Sequence, residues 1–193
     1  MSDISAEDRP SVAGAVLAGG SSRRMGRDKA FIRRGGATMV ERAAAAMIEG
    51  GVGHVVVVGG DLDRLSDLGL VGVVDRFPGA GPLGAIITAI EQLSADIVVV
   101  LACDHLDPNP EAVRTVVAAI GSFDAVVPVS EGTEQWLHSA WRTAVLPRLV
   151  AAYDRGARAP RELVGELTFN RLTGGDPSWY RDADRPADLR DVD

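Results

Sequence analysis

The chain has 193 residues, of which 46% are hydrophobic, 24% charged and only 5% aromatic; that is the length of one domain with a sizeable aliphatic core, and it excludes a disordered or collagen-like chain. Its 27 acidic residues outnumber its 20 basic ones, for a net charge of −7, which argues against a general binder of nucleic acid or anionic membranes. A single cysteine, Cys103, and three scattered histidines, His54, His105 and His138, argue against a disulfide framework, a thiolate metal cluster and a closed zinc site.

The first eleven residues are polar and acidic, without the apolar stretch of a secretory signal. Ser22-Arg23-Arg24 is followed by Arg33, Arg34, Gly35 and Gly36, where a twin-arginine signal needs an apolar run. No apolar run approaches the roughly 20 residues that span a bilayer. The expectation is a cytoplasmic protein with a flexible tail at residues 1–10 and a single domain over 11–193.

Short Val-rich runs at 12–18, 55–58, 71–74, 97–101 and 125–129 read as strands. They are continuous rather than alternating, the pattern of strands covered on both faces. Thr38 and Glu41 form a capping-box pattern that opens a helix to about Glu49, stopped by Gly50-Gly51. Pro82 stands where a first helical residue is favoured, before a helix to Ser94. Asn109 caps a helix over 110–120, and further helices are expected over 144–153 and 160–166. Strand alternating with helix implies an α/β fold, a mostly parallel sheet between helical layers. Ligands of such sheets sit beyond the carboxyl ends of the strands, so the loops after Ala18, Val74 and Leu101 are the places to look for chemistry.

The first strand runs into Leu17-Ala-Gly-Gly-Ser-Ser-Arg-Arg-Met-Gly-Arg-Asp-Lys-Ala30. Gly19, Gly20 and Gly26 let backbone amides turn toward a bound group, and Arg23, Arg24, Arg27 and Lys29 surround them with cations. The loop reads as an anion site long enough for a polyphosphate. It is not a Walker A loop, because five residues separate Gly20 from Gly26 and Lys29 comes three residues later. Lys29 is the only lysine among the 20 basic residues, and a compact ammonium can follow a phosphoryl oxygen where a planar guanidinium is bulkier.

These fourteen residues resemble the signature of the molybdenum cofactor guanylyltransferases, LAGGxSxRMGxDKA, at every defined position. Related cytidylyltransferases tend to carry LAAG, so Gly19 leans toward the guanine-using branch. The resemblance implies a three-layer, Rossmann-like sandwich of the nucleotide-diphospho-sugar transferase type. It also implies contacts of Leu17, Ala18, Gly19 and Gly20 with the nucleotide, and a charge-neutralising role for Lys29, Arg23 and Arg24.

After the third strand, Gly79-x-Gly81-x-x-Gly84 matches the spacing of a dinucleotide fingerprint. A dinucleotide reading fails, because that fingerprint belongs on the first strand-to-helix turn and Pro82 removes an amide. Gly81, Pro82, Leu83 and Gly84 instead resemble the family's GPLxG segment, which lies against the base, and Asp75 matches the acid that precedes it. A carboxylate there can accept from N1–H and the N2 amine of guanine; its other reading is a helix cap or loop turn.

The strand at 97–101 leads to Cys103-Asp104. A carboxylate at the end of a central strand suits Mg²⁺, which takes one or two carboxylates plus substrate phosphates, or it caps a helix. The family's Cys-Asp-x-Pro segment places the metal on this aspartate. Here Leu106 stands at the proline position, and Pro108 comes two residues later. Cys103 is expected in the core, and His105 to be structural or exposed without a clear partner.

Gln135 and Ala140 match the family's (H/Q)PxxAxY segment near the acceptor, with Trp136 for Pro and Trp141 for Tyr. His138 reads as a half-buried structural histidine or a general base. Arg158 matches the arginine of a Gly-Glu-Arg segment that holds the pterin phosphate, with Ala157 for Glu, and Arg161 is a second anion candidate. Residues 180–189 align with FxNxNTPxDL, with Asp182 and Asp184 for the asparagines and Arg185 for Thr. Asp184 is thereby a candidate second metal ligand.

The resemblance implies Mg²⁺-dependent transfer of GMP from GTP to molybdenum-molybdopterin, releasing pyrophosphate. It also implies exchange with molybdopterin-transfer proteins and molybdoenzymes. The alternatives are a relative that uses CTP or another phosphorylated acceptor, and a non-catalytic GTP-binding protein that delivers the cofactor.

Overall fold

The computed structural model describes residues 10–19 and 28–183. The tail expected at 1–10 therefore lies outside the described residues except for Pro10. In chain order the elements are β1 (Val12–Leu17), β2 (Arg33–Arg34), β3 (Ala37–Thr38), α1 (Met39–Glu49), β4 (His54–Val58), α2 (Leu62–Asp67), β5 (Gly72–Val73), α3 (Pro82–Gln92), β6 (Ile97–Ala102), α4 (Pro110–Ala118), β7 (Ala125–Ser130), β8 (Thr133–Glu134), β9 (His138–Arg142), α5 (Leu146–Asp154) and β10 (Phe169–Leu172).

The continuous apolar runs become strands because both faces of the sheet are covered. In β1, Ala13, Ala15 and Leu17 face one core and Val16 the other; in β6, Val98 and Val100 oppose Ile97, Val99 and Leu101. Successive strand residues point to opposite faces, so a strand buried on both must be apolar throughout. α3 and α5 cover the first face, through residues such as Ile86, Ile90 and Leu149. α1 and α4 cover the second, through Val40, Met47, Val113 and Val116. The result is the expected three-layer, mostly parallel α/β sandwich.

The sheet order is β10-β7-β9-β6-β1-β4-β5, with β8 on β7 and a separate β2-β3 hairpin. β1 is parallel to β4 and β6. β9 lies antiparallel between β6 and β7. The place of β1 between β4 and β6 puts the carboxyl ends of these three parallel strands side by side.

Local signals account for most element ends. In the capping box at α1, Glu41 Oε2 accepts from Thr38 N at 2.7 Å and Thr38 Oγ1 from Glu41 N at 3.3 Å. Asn109 caps α4 by accepting from Glu111 N at 2.8 Å. Two expectations shrink. The strand at 71–74 is only Gly72–Val73, an edge pairing with β4 alone, and Val71 and Val74 are 54% and 71% exposed. The helix at 160–166 is a single 3-10 turn, Pro160–Leu163, with Gly165 close behind to discourage continuation. No helix among the described residues is long and apolar enough to cross a membrane.

Candidate functional site

The site forms where β1 and β6, hydrogen-bonded neighbours, both end. Leu17 is the last residue of β1; its carbonyl accepts from Cys103 N at 3.1 Å, and Ala18 N donates to Val58 O at 2.9 Å. Those two groups therefore serve the sheet, and the first backbone beyond its ladder is Gly19. An added Cβ at Gly19 would meet Asp75 Oδ2 at 3.4 Å, so the end of β1 and the Asp75 carboxylate face each other closely.

Asp75 is held by one oxygen. Its Oδ1 accepts from Phe77 N at 2.9 Å and lies 3.3 Å from Thr88 Oγ1. Thr88, 1% exposed, in turn accepts from Arg76 N and lies 3.0 Å from Gly84 O. The loop-turn reading of Asp75 is thus correct for Oδ1, while Oδ2 stays turned toward Gly19. Thr88 escaped sequence reasoning; its signal is a hydroxyl within the otherwise apolar run from Leu83 to Ile90.

Asp104 follows β6 by two residues, and its Oδ2 accepts from Lys29 Nζ at 3.1 Å, with side chains 27% and 13% exposed. Lys29 opens a 3-10 turn, Lys29–Phe31, whose start is fixed by Asp28 Oδ1 accepting from Ala30 N. The turn aims the single lysine at the strand-end carboxylate. Asp104 Oδ1 has no partner among the described residues. The Asp104 carboxylate is an oxygen ligand of the kind Mg²⁺ takes, since that ion needs only one or two carboxylates and keeps waters and phosphate oxygens for its other positions. Among the described residues no group of three or more His, Cys, Asp or Glu side chains gathers around it. Cys103 is buried, and burial with the neighbouring Asp104 charge pushes its thiol far up, so it is a core residue and not a nucleophile or ligand.

Gly20, Arg23, Arg24 and Asp184 lie outside the described residues. The GPLxG segment is fixed by packing. Pro82 starts α3, Leu83 is buried and its amide donates to Arg158 O at 3.0 Å, and Gly84 backs onto Phe77. Arg158 was expected to hold a phosphate. Its Nη1 donates to Tyr153 O and Ala157 O at 2.8 Å, and its guanidinium stacks on Tyr153 at 4.1 Å. The first of these bonds satisfies a carbonyl in the last turn of α5.

A cleft of about 290 Å³ opens beside this segment, lined by Pro82, His105, Gln135, Trp136, Arg161 and Asp182 among others. Gln135, Trp136 and Arg161, three of the acceptor-region candidates, thus share one surface. Trp141 does not: it is buried in the core, its Nε1 donating to Ser139 Oγ at 2.7 Å.

His138 is fully buried rather than half-buried, and among the described residues neither ring nitrogen makes a hydrogen bond of good geometry. Burial, assisted by His105, lowers its pKa to about 3, so it stays neutral and is no general base. A histidine depressed when folded favours the fold above its unfolded pKa near 6.5, and that contribution is lost as pH falls from there toward about 3. Wild type should therefore lose more thermal stability between pH 7 and pH 5 than His138→Leu does; equal losses would show that His138 does not drive the acid sensitivity. His105 is also buried, at 2% exposed, and it has a neighbour: its Nδ1 lies 3.0 Å from Asp182 Oδ1.

Residues 14–170 match the family model of the MobA-like NTP transferase domain. The chain is 29% identical over 179 residues to a probable molybdenum cofactor guanylyltransferase of Bacillus cytotoxicus, covering 88% of this chain and 90% of that protein. It is 30% identical to one of Bacillus cereus, covering 85% and 84%. Among solved structures it resembles molybdopterin-guanine dinucleotide biosynthesis protein A of Archaeoglobus fulgidus, with TM-score 0.72 and 20% identity over 92% of this chain and 94% of that one. It also resembles 2-C-methyl-D-erythritol 4-phosphate cytidylyltransferase of Thermus thermophilus, with TM-score 0.69 and 20% identity over 91% and 94%. At that identity the two structures speak to the fold.

Proposed function

The chain belongs to the MobA-like NTP transferase family, and from that premise we propose that it is a cytoplasmic molybdenum cofactor guanylyltransferase, moving GMP from GTP to molybdenum-molybdopterin. The observation that carries this reading is the 3.1 Å pair between Lys29 Nζ and Asp104 Oδ2, two residues beyond the end of β6.

In the reaction, a phosphate oxygen of molybdopterin forms a bond to the α-phosphorus of GTP. The bond from that phosphorus to the bridging oxygen breaks, and pyrophosphate leaves with the electron pair. The attacking oxygen is already anionic, so no base is required, and positioning with charge neutralisation supplies the rate. Lys29 sits where negative charge builds, and Arg23 and Arg24 are assigned to the leaving pyrophosphate. Asp104 would hold Mg²⁺, which supplies positive charge to the phosphate oxygens when bound. The backbone of Leu17 to Gly20 and the Gly81-Pro82-Leu83 turn flank the nucleoside. The cleft with Gln135, Trp136 and Arg161 takes the acceptor, with Arg158 and Arg161 as its anion contacts.

Asp75 decides the base. With Oδ1 fixed, Oδ2 accepts from the N1–H and N2 edge of guanine. Asp75→Asn keeps an oxygen for Phe77 N and can turn a donor toward that edge. Its GTP affinity should fall roughly 10- to 100-fold, about 1.4 to 3 kcal/mol, with CTP affinity unchanged; titration by calorimetry measures both. Undiminished GTP binding would remove Asp75 from base reading, and wild type stabilised more by CTP than by GTP would assign the chain to cytidylyl transfer.

A further inference from the structure

The segment after Asp104 is fastened from two sides. On one side, Arg34 Nη1 and Arg42 Nη2 donate to Leu106 O at 2.5 and 2.9 Å. On the other, residues 181–183 lie antiparallel across it: Leu106 N donates to Arg181 O at 2.8 Å and Ala183 N to Asp104 O at 2.9 Å. His105 and Asp182 are the paired residues of this bridge. Nucleotidyl transfer as described above makes no use of either.

Their side chains meet as well. His105 Nδ1 is 3.0 Å from Asp182 Oδ1, within hydrogen-bond length though off the ring's N–H direction, and Nε2 is 3.4 Å from Leu137 O. A buried imidazole nitrogen needs a polar neighbour, and among the described residues Asp182, whose side chain is 43% exposed, lies within reach. The ring edge also stacks on His138 at 5.4 Å between centroids, so His105 is anchored from below and touches the later segment from above. Proline has no N–H to donate. Leu106, standing where the family's pattern has proline, therefore makes a bond that the pattern residue could not make.

Both members of the pair line the 290 Å³ cleft, and Ala183 N bonds directly to the Asp104 carbonyl. We propose that His105 and Asp182 are a positioning pair. They hold residues 181–183 across the Asp104 loop, and by doing so set the wall of the cleft that takes the acceptor. The second half of this statement rests on the reading of the cleft given above; the first does not.

The test is Asp182→Ala in the full chain, a change at an exposed side chain that leaves the core untouched. Hydrogen exchange at the Leu106 and Ala183 amides should quicken roughly tenfold or more, while exchange in α1 stays as in wild type. The KM for molybdenum-molybdopterin should rise about tenfold with GTP affinity within twofold of wild type. Unchanged exchange at those two amides overturns the fastening. Faster exchange with an unchanged acceptor KM overturns the role in setting the cleft wall. If wild type itself fails to bind GTP, the transferase reading falls instead, and the exchange measurement still decides the pair.

Discussion

Asp104→Asn should lower the rate of pyrophosphate release from GTP by roughly 1,000-fold or more, a loss of about 4 kcal/mol of transition-state stabilisation. The amide keeps the size of the carboxylate and leaves the Asp104 carbonyl bonded to Ala183 N, so the fold should be retained. What disappears is the anion beside Lys29 and the charged oxygen for a divalent cation. Binding of Mn²⁺, followed by electron paramagnetic resonance as a stand-in for Mg²⁺, should weaken in parallel. Lys29→Arg is the companion change: it keeps the charge but replaces a compact ammonium, 13% exposed, by a planar fork. A fall of roughly 10- to 100-fold in kcat, with GTP affinity little altered, would mark geometry rather than charge as the requirement. Turnover near wild type in Asp104→Asn would take the carboxylate out of the chemistry.

Gly81→Ala should destabilise the protein by about 2–4 kcal/mol, a fall in Tm of roughly 5–15 °C for a chain of this length. Gly81 has φ of 91° and ψ of 168°, a region that only glycine adopts at low cost. A Cβ there would lie 2.6 Å from Arg158 O, and that oxygen is not free to retreat because it accepts from Leu83 N. Gly79→Ala separates the two causes. Gly79 also has positive φ, 74°, but nothing lies within 4 Å of its added Cβ, so only the dihedral cost of about 1–2 kcal/mol applies. Thermal melts of the two variants that fall together would show that the Arg158 contact is unimportant.

The sequence made the strands β1, β4, β6 and β7 legible because burial on both faces leaves no room for polar alternation. The capping box at Thr38 and Glu41 was legible because its two bonds are local. β9 was hidden for the opposite reason. Its sequence, His138-Ser-Ala-Trp-Arg142, has no aliphatic run, yet four of its five residues are buried. Ser139 and Trp141 satisfy each other locally, with Ser139 Oγ donating to Trp136 O and accepting from Trp141 Nε1, while both ring nitrogens of His138 are without a partner among the described residues. Read as an acceptor motif, the segment proved divided: Gln135 and Trp136 line the cleft and Trp141 fills the core. Lys29 and Asp104 were found from composition and strand-end position, and they meet at 3.1 Å. The Asp182 neighbour of His105 was invisible because the two are far apart in sequence, and the support of Asp75 by Thr88 depends on a helix face that a local pattern does not label.

The placement of β9 also bears on how the chain is made. β6 is apolar along its whole length, and one of its edges stays unpaired until residues 138–142 arrive from 40 positions beyond Ala102. At 5–20 residues per second, synthesis leaves that edge bare for roughly two to eight seconds. An unpaired, uncharged edge is a template for joining another chain. A polypeptide ending near residue 130 would keep that edge permanently and should precipitate, even though it carries the loop with Lys29 and the carboxylate of Asp104.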